Sequence, residues 1–159
     1  MLVERLGIVP ARTCSPDIDE SPRPGEMPRL YALRMAEEKA RAVPRGPNEV
    51  VLAGDTTVAV GRRILGQAED EAMQRGFLKL LGGRRHHVLS AVSTITADGR
   101  QISKLSDSIV KFKPLHPDEI TAYVESGDPR QRFPHPDIAD MIVQYNGWAT
   151  AQPDWRETP

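Results

Sequence analysis

The chain has 159 residues and a net charge of −1, with 21 basic and 22 acidic side chains interspersed along it. Hydrophobic residues make up 39% and charged residues 27%, a balance typical of a globular domain rather than of a disordered chain. Without a concentrated basic surplus, the composition argues against a nucleic-acid partner.

Two further features indicate the compartment. Cys14 is the single cysteine and cannot form an internal disulfide, which agrees with a reducing compartment. No apolar run approaches the roughly 20 residues that cross a bilayer, and the first ten residues lack the pattern of a secretion signal. We therefore expect a cytoplasmic protein with no membrane partner.

The first half of the chain predicts a loop, a helix and a strand pair. The proline-rich segment CSPDIDESPRPGE follows a short amphipathic start (Leu2, Leu6, Ile8) and predicts a loop. Apolar residues then recur at steps of three and four from Glu26 to Val43, which predicts a helix; they are Leu30, Leu33, Ala36, Ala40 and Val43. In EVVLAGDTTVAVG, β-branched runs flank Gly54-Asp55, so we expect a strand, a tight bend and a returning strand, with Asp55 at a strand end.

The second half predicts two helices and a hairpin. Acidic residues at the start and Gly82-Gly83 at the end frame a helix over 68–81, with a buried stripe of Ala72, Phe77, Leu78 and Leu81. The segments HHVLSAVSTIT and QISKLSDSIVKFK flank Asp98-Gly99, a typical hairpin turn. A third helix is expected from Pro117 to a stop at Gly127.

The character of the sequence changes near residue 130. Residues 130–159 hold four more prolines, both tryptophans and one short apolar stretch around Met141 to Val143. We therefore predict one α/β domain over residues 1–129 and a divergent tail over 130–159 to which the pattern assigns no fold.

Asp55 and Lys39 are the first candidates for chemistry. A carboxylate at a strand end, followed by Thr56 and Thr57, can hold a divalent cation or orient a water. The alternative is a turn aspartate that bonds its own backbone. Lys39 could face a phosphate, although charges in a helical Glu37-Glu38-Lys39 run more often form a solvated face.

The run Arg84-Arg85-His86-His87 is a further candidate. It is basic enough to attract an anion but lacks a Gly-rich phosphate loop. Adjacent histidines in a strand point to opposite faces, which makes them poor joint ligands for one metal. A solvated or capping role is the favoured interpretation.

Six further segments are informative when they are taken together: DIDE at 17–20, LRMAEEKARAV at 33–43, LAGDTTVAVGRRILG at 52–66, AEDEA at 68–72, GRRHHVLSAV at 83–92 and EITAYVESGDP at 119–129. In this order they resemble the Maf (septum-formation-inhibitor) family of nucleoside triphosphate pyrophosphatases, and the resemblance covers about residues 2–129.

The resemblance implies a fold, a reaction and a cofactor. The fold is a single elongated α/β domain, like that of the inosine triphosphatases, with a mixed sheet flanked by helices and a central cleft. The reaction splits a nucleoside triphosphate between its α and β phosphates, with Mg²⁺ or Mn²⁺, as nucleotide-pool sanitation.

The resemblance also assigns roles to four residues. Asp55 matches the family's proton acceptor, and Glu20 and Lys39 match charged residues that line the same cleft. Asp55 and Glu20 are the implied metal ligands. Thr56 resembles the branch that favours dTTP and UTP.

The sequence departs from the family pattern in three places. The first strand and its S-x-S-P-R-R phosphate loop do not match, Gln67 replaces the lysine of the L-x-K-P motif, and the K-A-G-x-Y-x-I-Q-G stretch is absent after 129. The domain is thus expected to be truncated at both ends relative to the family. The alternative is an inactive Maf-like protein that acts at most as a weak nucleotide-binding or interaction module. The oligomeric state stays open, with a homodimer as one option.

Overall fold

The computed structural model describes residue 7, residues 9–125 and residues 142–145. The expectations for Leu2, Leu6, Ile8 and Gly127, and for most of 130–159, lie outside these residues. In chain order the elements are α1 (Pro28–Ala42), β1 (Val51–Val60), β2 (Arg63–Leu65), α2 (Glu71–Leu81), β3 (Arg85–Ile95), β4 (Gln101–Phe112), α3 (Pro117–Glu125) and β5 (Ile142–Tyr145).

The strands form one sheet in the order β2-β1-β3-β4-β5. The α/β class and the flanking helices are confirmed. The expected mixed sheet is wrong for the described strands, because every neighbouring pair is antiparallel. The short turns after β1 and β3 reverse the chain, and strands joined in this way pair antiparallel.

Helices cover both faces of the sheet. On one face, Ala32 and Ala36 of α1 pack against Leu89 and Ala91 of β3. On the other face, α2 and α3 share a larger apolar core with the sheet, formed by Val58, Leu65, Leu78, Leu81, Val110, Phe112, Ile120, Tyr123 and Val124. Because alternate side chains of a strand point to opposite faces, these two cores are separated by the sheet.

The predicted helices form, but the buried sides differ in part from the predicted stripes. In α1, Leu30 is exposed, whereas Tyr31, Met35 and Lys39 are buried. In α2, Leu78 and Leu81 are buried as predicted, Ala72 is exposed, and Gln74 is buried instead. The choice of face is made by the sheet against which each helix packs, and hydrophobicity alone does not fix it.

The bend expected at Gly54-Asp55 is wrong. β1 runs unbroken through both residues and pairs with β3 from Val51–Ile95 to Ala59–His87. Asp55 therefore lies in the middle of the strand, opposite Ala91, rather than at a strand end. The chain turns only after Val60, where Gly61 has a φ of 58°.

The predicted hairpin is confirmed. β3 and β4 pair from Ile95–Gln101 to Arg85–Lys111, and Gly99 in the turn has a φ of 87°, a conformation that glycine adopts without strain. None of the helices in the described part of the chain is long and apolar enough to cross a membrane.

Candidate functional site

Lys39 joins Asp55 to Glu20. Its Nζ lies 2.9 Å from Asp55 Oδ1 and 3.0 Å from Glu20 Oε1. The side chains of Lys39 and Asp55 are each 9% exposed, while that of Glu20 is 53% exposed. The structure thus brings three of the residues proposed from sequence into one cluster at the edge of solvent.

The packing of α1 on the sheet explains this meeting. Tyr31, Met35 and Lys39 follow one another at four-residue steps and therefore share the helix face toward the sheet. Asp55 points to the same side of β1 as Val51, which packs against Ala40 of α1. The solvated interpretation of Lys39 and the turn-aspartate interpretation of Asp55 are both wrong, because the two side chains form an ion pair between α1 and the sheet.

The electrostatics of the cluster favour a charged lysine. Burial opposes the charge of Lys39, but the hydrogen bonds to Asp55 and Glu20 outweigh it, so that the pKa of Lys39 is raised above its ordinary value. Lys39 is therefore a fixed positive charge between two carboxylates.

Thr57 holds the second oxygen of Asp55. Its hydroxyl donates to Asp55 Oδ2 at 2.8 Å, and the side chain is buried. The two residues are two positions apart in β1 and hence on one face of the strand. From the sequence, Thr57 was named beside Asp55 but this contact was not predicted, although the two-residue spacing was the available signal once β1 is taken as continuous.

Tyr31 is a residue that sequence reasoning missed. It is buried in α1, and its hydroxyl donates to the backbone carbonyl of Glu20 at 2.7 Å. It therefore contacts the loop that carries one of the cluster's carboxylates.

Thr56 and Gln67 lie elsewhere. Thr56 is exposed and, one position from Asp55, points to the opposite face of β1. Gln67 is exposed in the segment between β2 and α2. The geometry of the strand therefore keeps the Thr56 side chain out of the Asp55 cluster.

The two carboxylates fit a metal that arrives with phosphate. Within the described residues, no group of three or more His, Cys, Asp or Glu side chains could hold a metal ion. Mg²⁺ is commonly bound by one or two carboxylates together with substrate phosphates and waters. Asp55 and Glu20, which contact the same ammonium group, match this arrangement, in which the substrate supplies further ligands, and not a site built from protein ligands alone.

The histidine pair divides between the two faces of the sheet, as predicted. His86 is buried and meets the Phe112 ring edge to face at 4.8 Å, so a solvated role is wrong for it. His87 Nδ1 lies 2.7 Å from Asp107 Oδ1. Cys14 is free and exposed.

Comparison with known proteins assigns the chain to a family. The family model described as Maf-like protein matches residues 1–133. The chain therefore belongs to the Maf-like family, as its sequence motifs indicated.

Named relatives cover most of the chain. A protein of Sphingopyxis alaskensis named dTTP/UTP pyrophosphatase is 54% identical over 127 residues, which is 80% of this chain and 67% of that protein. One of the same name from Novosphingobium aromaticivorans is 53% identical, over 80% of this chain and 64% of its own length. A nucleoside triphosphate pyrophosphatase of Anaplasma phagocytophilum is 40% identical over 98% of this chain and 78% of its own. The chain thus spans about two thirds of the first two relatives.

Proposed function

We propose that this chain is a nucleoside triphosphate pyrophosphatase that hydrolyses dTTP- and UTP-type nucleotides to the monophosphate and pyrophosphate. The family and the names of the relatives support the reaction and the nucleotide class. The structural observation that carries the proposal is the buried Lys39 held between Asp55 and Glu20. A cytoplasmic location and a homodimer stay predictions of the sequence.

Asp55 is the proposed proton acceptor for the attacking water. A carboxylate offers about four lone-pair positions, so the contacts with Lys39 and Thr57 leave about two positions for further donors. The two existing contacts fix the orientation of the carboxylate before substrate arrives. A fixed base is what general-base catalysis requires, since positioning contributes much of its rate.

Lys39 is the residue proposed to stabilise phosphate charge directly, and Glu20 is proposed to do so through a metal ion. Hydrolysis between the α and β phosphates spreads negative charge over phosphate oxygens, and a lysine ammonium acts on such charge as a point cation. A divalent Mg²⁺ or Mn²⁺ ion, when bound with the triphosphate, neutralises further phosphate charge, and Asp55 and Glu20 are the residues proposed to hold it.

Thr56 and Gln67 are assigned secondary roles in substrate binding. Thr56 is the proposed marker of the pyrimidine preference. Gln67 offers a hydrogen bond, without charge, where the family pattern has a lysine. Both assignments come from the resemblance, and both side chains are accessible to a ligand.

The test is release of pyrophosphate from dTTP, UTP and CTP with Mn²⁺ or Mg²⁺. Asp55→Asn is expected to lower kcat by about 100-fold or more, because it removes the proton acceptor. Asp107→Asn is the matched control: Asp107 contacts His87 and Arg29 and lies outside the Lys39 cluster, and it should change kcat by less than about twofold.

Two results would decide against the proposal. Equal background rates in the unmodified chain and in Asp55→Asn would show that no turnover depends on this site. Nucleotide binding in calorimetry without pyrophosphate release would favour the weak nucleotide-binding module instead.

A further inference from the structure

The loop that carries Glu20 is held to α1 by its backbone. Between residues 9 and 27 the chain forms no helix or strand. Two consecutive carbonyls of this loop each accept a hydrogen bond from α1: Tyr31 Oη donates to Glu20 O at 2.7 Å, and Arg34 Nη2 donates to Ser21 O at 3.0 Å. Tyr31 and Arg34 are three residues apart and hence neighbours on the helix surface.

Arg34 is itself anchored by the end of the same loop. Its guanidinium pairs with both carboxylate oxygens of Glu26, at 2.6 and 2.7 Å. Glu26 Oε2 also accepts the backbone N–H of Arg23 at 2.9 Å. The loop from 20 to 26 is therefore tied to α1 at its beginning and at its end.

Glu20 is bonded at two points to one face of α1. Tyr31 holds its carbonyl, and Lys39, eight residues further along the helix, holds its carboxylate at 3.0 Å. Burial, together with the negative charges of Asp55 and Glu20, raises the pKa of Tyr31 to about 12. The hydroxyl thus keeps its proton, and with it the ability to donate, throughout the neutral range.

We propose that Tyr31 is a positioning residue, whose hydroxyl fixes the Glu20 backbone so that the exposed Glu20 carboxylate stays beside Lys39 and Asp55 for the metal–triphosphate substrate. Tyr31 acts through Glu20 and does not touch the reacting atoms. The consequence for catalysis rests on the proposed function, whereas the effect of the Tyr31 hydrogen bond on the loop can be measured without turnover.

Tyr31→Phe is the first variant, because it removes only the donated hydrogen bond and keeps the buried ring. We expect KM for the Mn²⁺–dTTP substrate to rise about five- to tenfold, the size of one lost hydrogen bond, with kcat within about threefold. Tyr123→Phe is the control: it removes a tyrosine hydroxyl from the core on the opposite face of the sheet. Its kinetic constants should stay within about twofold of the unmodified chain.

A double-mutant cycle separates positioning from general support of the fold. In a Glu20→Gln background, Tyr31→Phe should no longer change KM, because the carboxylate that it positions is gone. A rise of KM by the same factor in both backgrounds would show that Tyr31 does not act through Glu20, and would overturn the inference.

Hydrogen exchange tests, independently of activity, whether Tyr31 holds the loop in place. Backbone amides of residues 18–26 should exchange faster in Tyr31→Phe than in the unmodified chain, and not in Tyr123→Phe. Unchanged exchange in Tyr31→Phe would overturn the inference even if the enzyme is active. If the unmodified chain releases no pyrophosphate, the proposed function fails and the kinetic part of the inference fails with it, whereas the exchange result still decides whether Tyr31 holds the loop.

Discussion

The orientation of one carboxylate depends on two donors of different kinds. Asp55 Oδ1 is held by the ammonium of Lys39, and Oδ2 by the hydroxyl of Thr57. Lys39 also contacts Glu20 and is positively charged. Thr57 is a neutral donor, buried in the same strand as Asp55. We infer that Thr57 contributes to the orientation of the carboxylate, while Lys39 both orients it and balances its charge.

Thr57→Val tests this division, because valine keeps the shape of threonine and removes the donor. We expect kcat for pyrophosphate release to fall about tenfold, since a base held less firmly spends less time in the reactive orientation, and KM to stay within about twofold. Thr57→Ser keeps the hydroxyl and should recover most of the rate. A Thr57→Val variant with unmodified kcat would show that Lys39 alone orients Asp55.

The residues of the site were predictable to different degrees. Asp55, Lys39 and Glu20 followed from family resemblance, whereas the pattern of residues alone gave Lys39 and Asp55 ordinary surface or turn roles. Their contacts form only after α1 packs on the sheet and the loop returns along it. Thr57 and Tyr31 looked like ordinary members of a β-branched run and a helix, because a hydroxyl's partner depends on strand register and loop path, which a single sequence does not state.

At the scale of the element, α1 combines an apolar face with a nearly buried ion pair that joins it to the preceding loop. The side chains of Arg34 and Glu26 are only 12% and 9% exposed. The hydrogen bonds from Arg34, against the effect of burial, lower the pKa of Glu26 to about 2. On the same helix, Arg41 and Glu37 form an i,i+4 pair in which the arginine side chain is 56% exposed. The two pairs allow a comparison between two arginines of one helix.

Arg34→Met should lower the free energy of unfolding by about 3 kcal/mol, because it leaves the nearly buried Glu26 carboxylate without its cationic partner. Arg41→Met, which removes an exposed partner from the same helix, should cost less than about 1 kcal/mol. Urea unfolding at neutral pH measures both. Similar losses from the two variants would mean that Glu26 regains solvent once Arg34 is removed.

Elements with strong local signals were predicted well. The β3–β4 hairpin followed from Asp98-Gly99 between two alternating runs, and α1, α2 and α3 from periodicity and their boundary residues. β1 was predicted with a false bend because Gly54 was interpreted as a turn residue. In the structure Gly54 pairs with Val92 inside the continuous strand, and a Cβ at this position would make only an ordinary contact, 3.4 Å from the carbonyl oxygen of Ala91. A glycine within a strand run is therefore not by itself evidence for a turn.

At the scale of the whole molecule, the two faces of the sheet differ in composition. The face toward α1 carries the Asp55–Lys39 pair and small apolar clusters built mainly of alanine, valine, leucine and isoleucine. The opposite face carries the larger core around Phe112 and Leu78. Neighbouring residues of one strand therefore serve different purposes, as His86 and His87 show: His87 faces Asp107 on the α1 side, and His86 lies against Phe112.

His86 makes this core sensitive to acid. The residue is 2% exposed, and its Nδ1 has no hydrogen-bond partner within the part of the chain that the structure describes. Burial lowers the pKa of His86 from 6.5 to about 4, and a hydrogen bond with the backbone of Arg84 opposes this only in part. The folded state thus binds the proton less readily than the unfolded state does.

The free energy of unfolding should therefore fall as the pH drops from about 6.5 toward 4, because in this range His86 binds a proton in the unfolded state but not in the folded state. Well above pH 6.5 both states are neutral at this position and the contribution is complete. Its loss amounts to roughly 3 to 4 kcal/mol at most, since one pKa unit corresponds to about 1.4 kcal/mol. Urea unfolding at several pH values measures the fall. His86→Phe should remove most of its slope, because phenylalanine fills the same site without titrating, whereas His87→Phe, at a half-buried position on the other face, should keep it. An unchanged slope in His86→Phe would assign the acid sensitivity to the carboxylates instead.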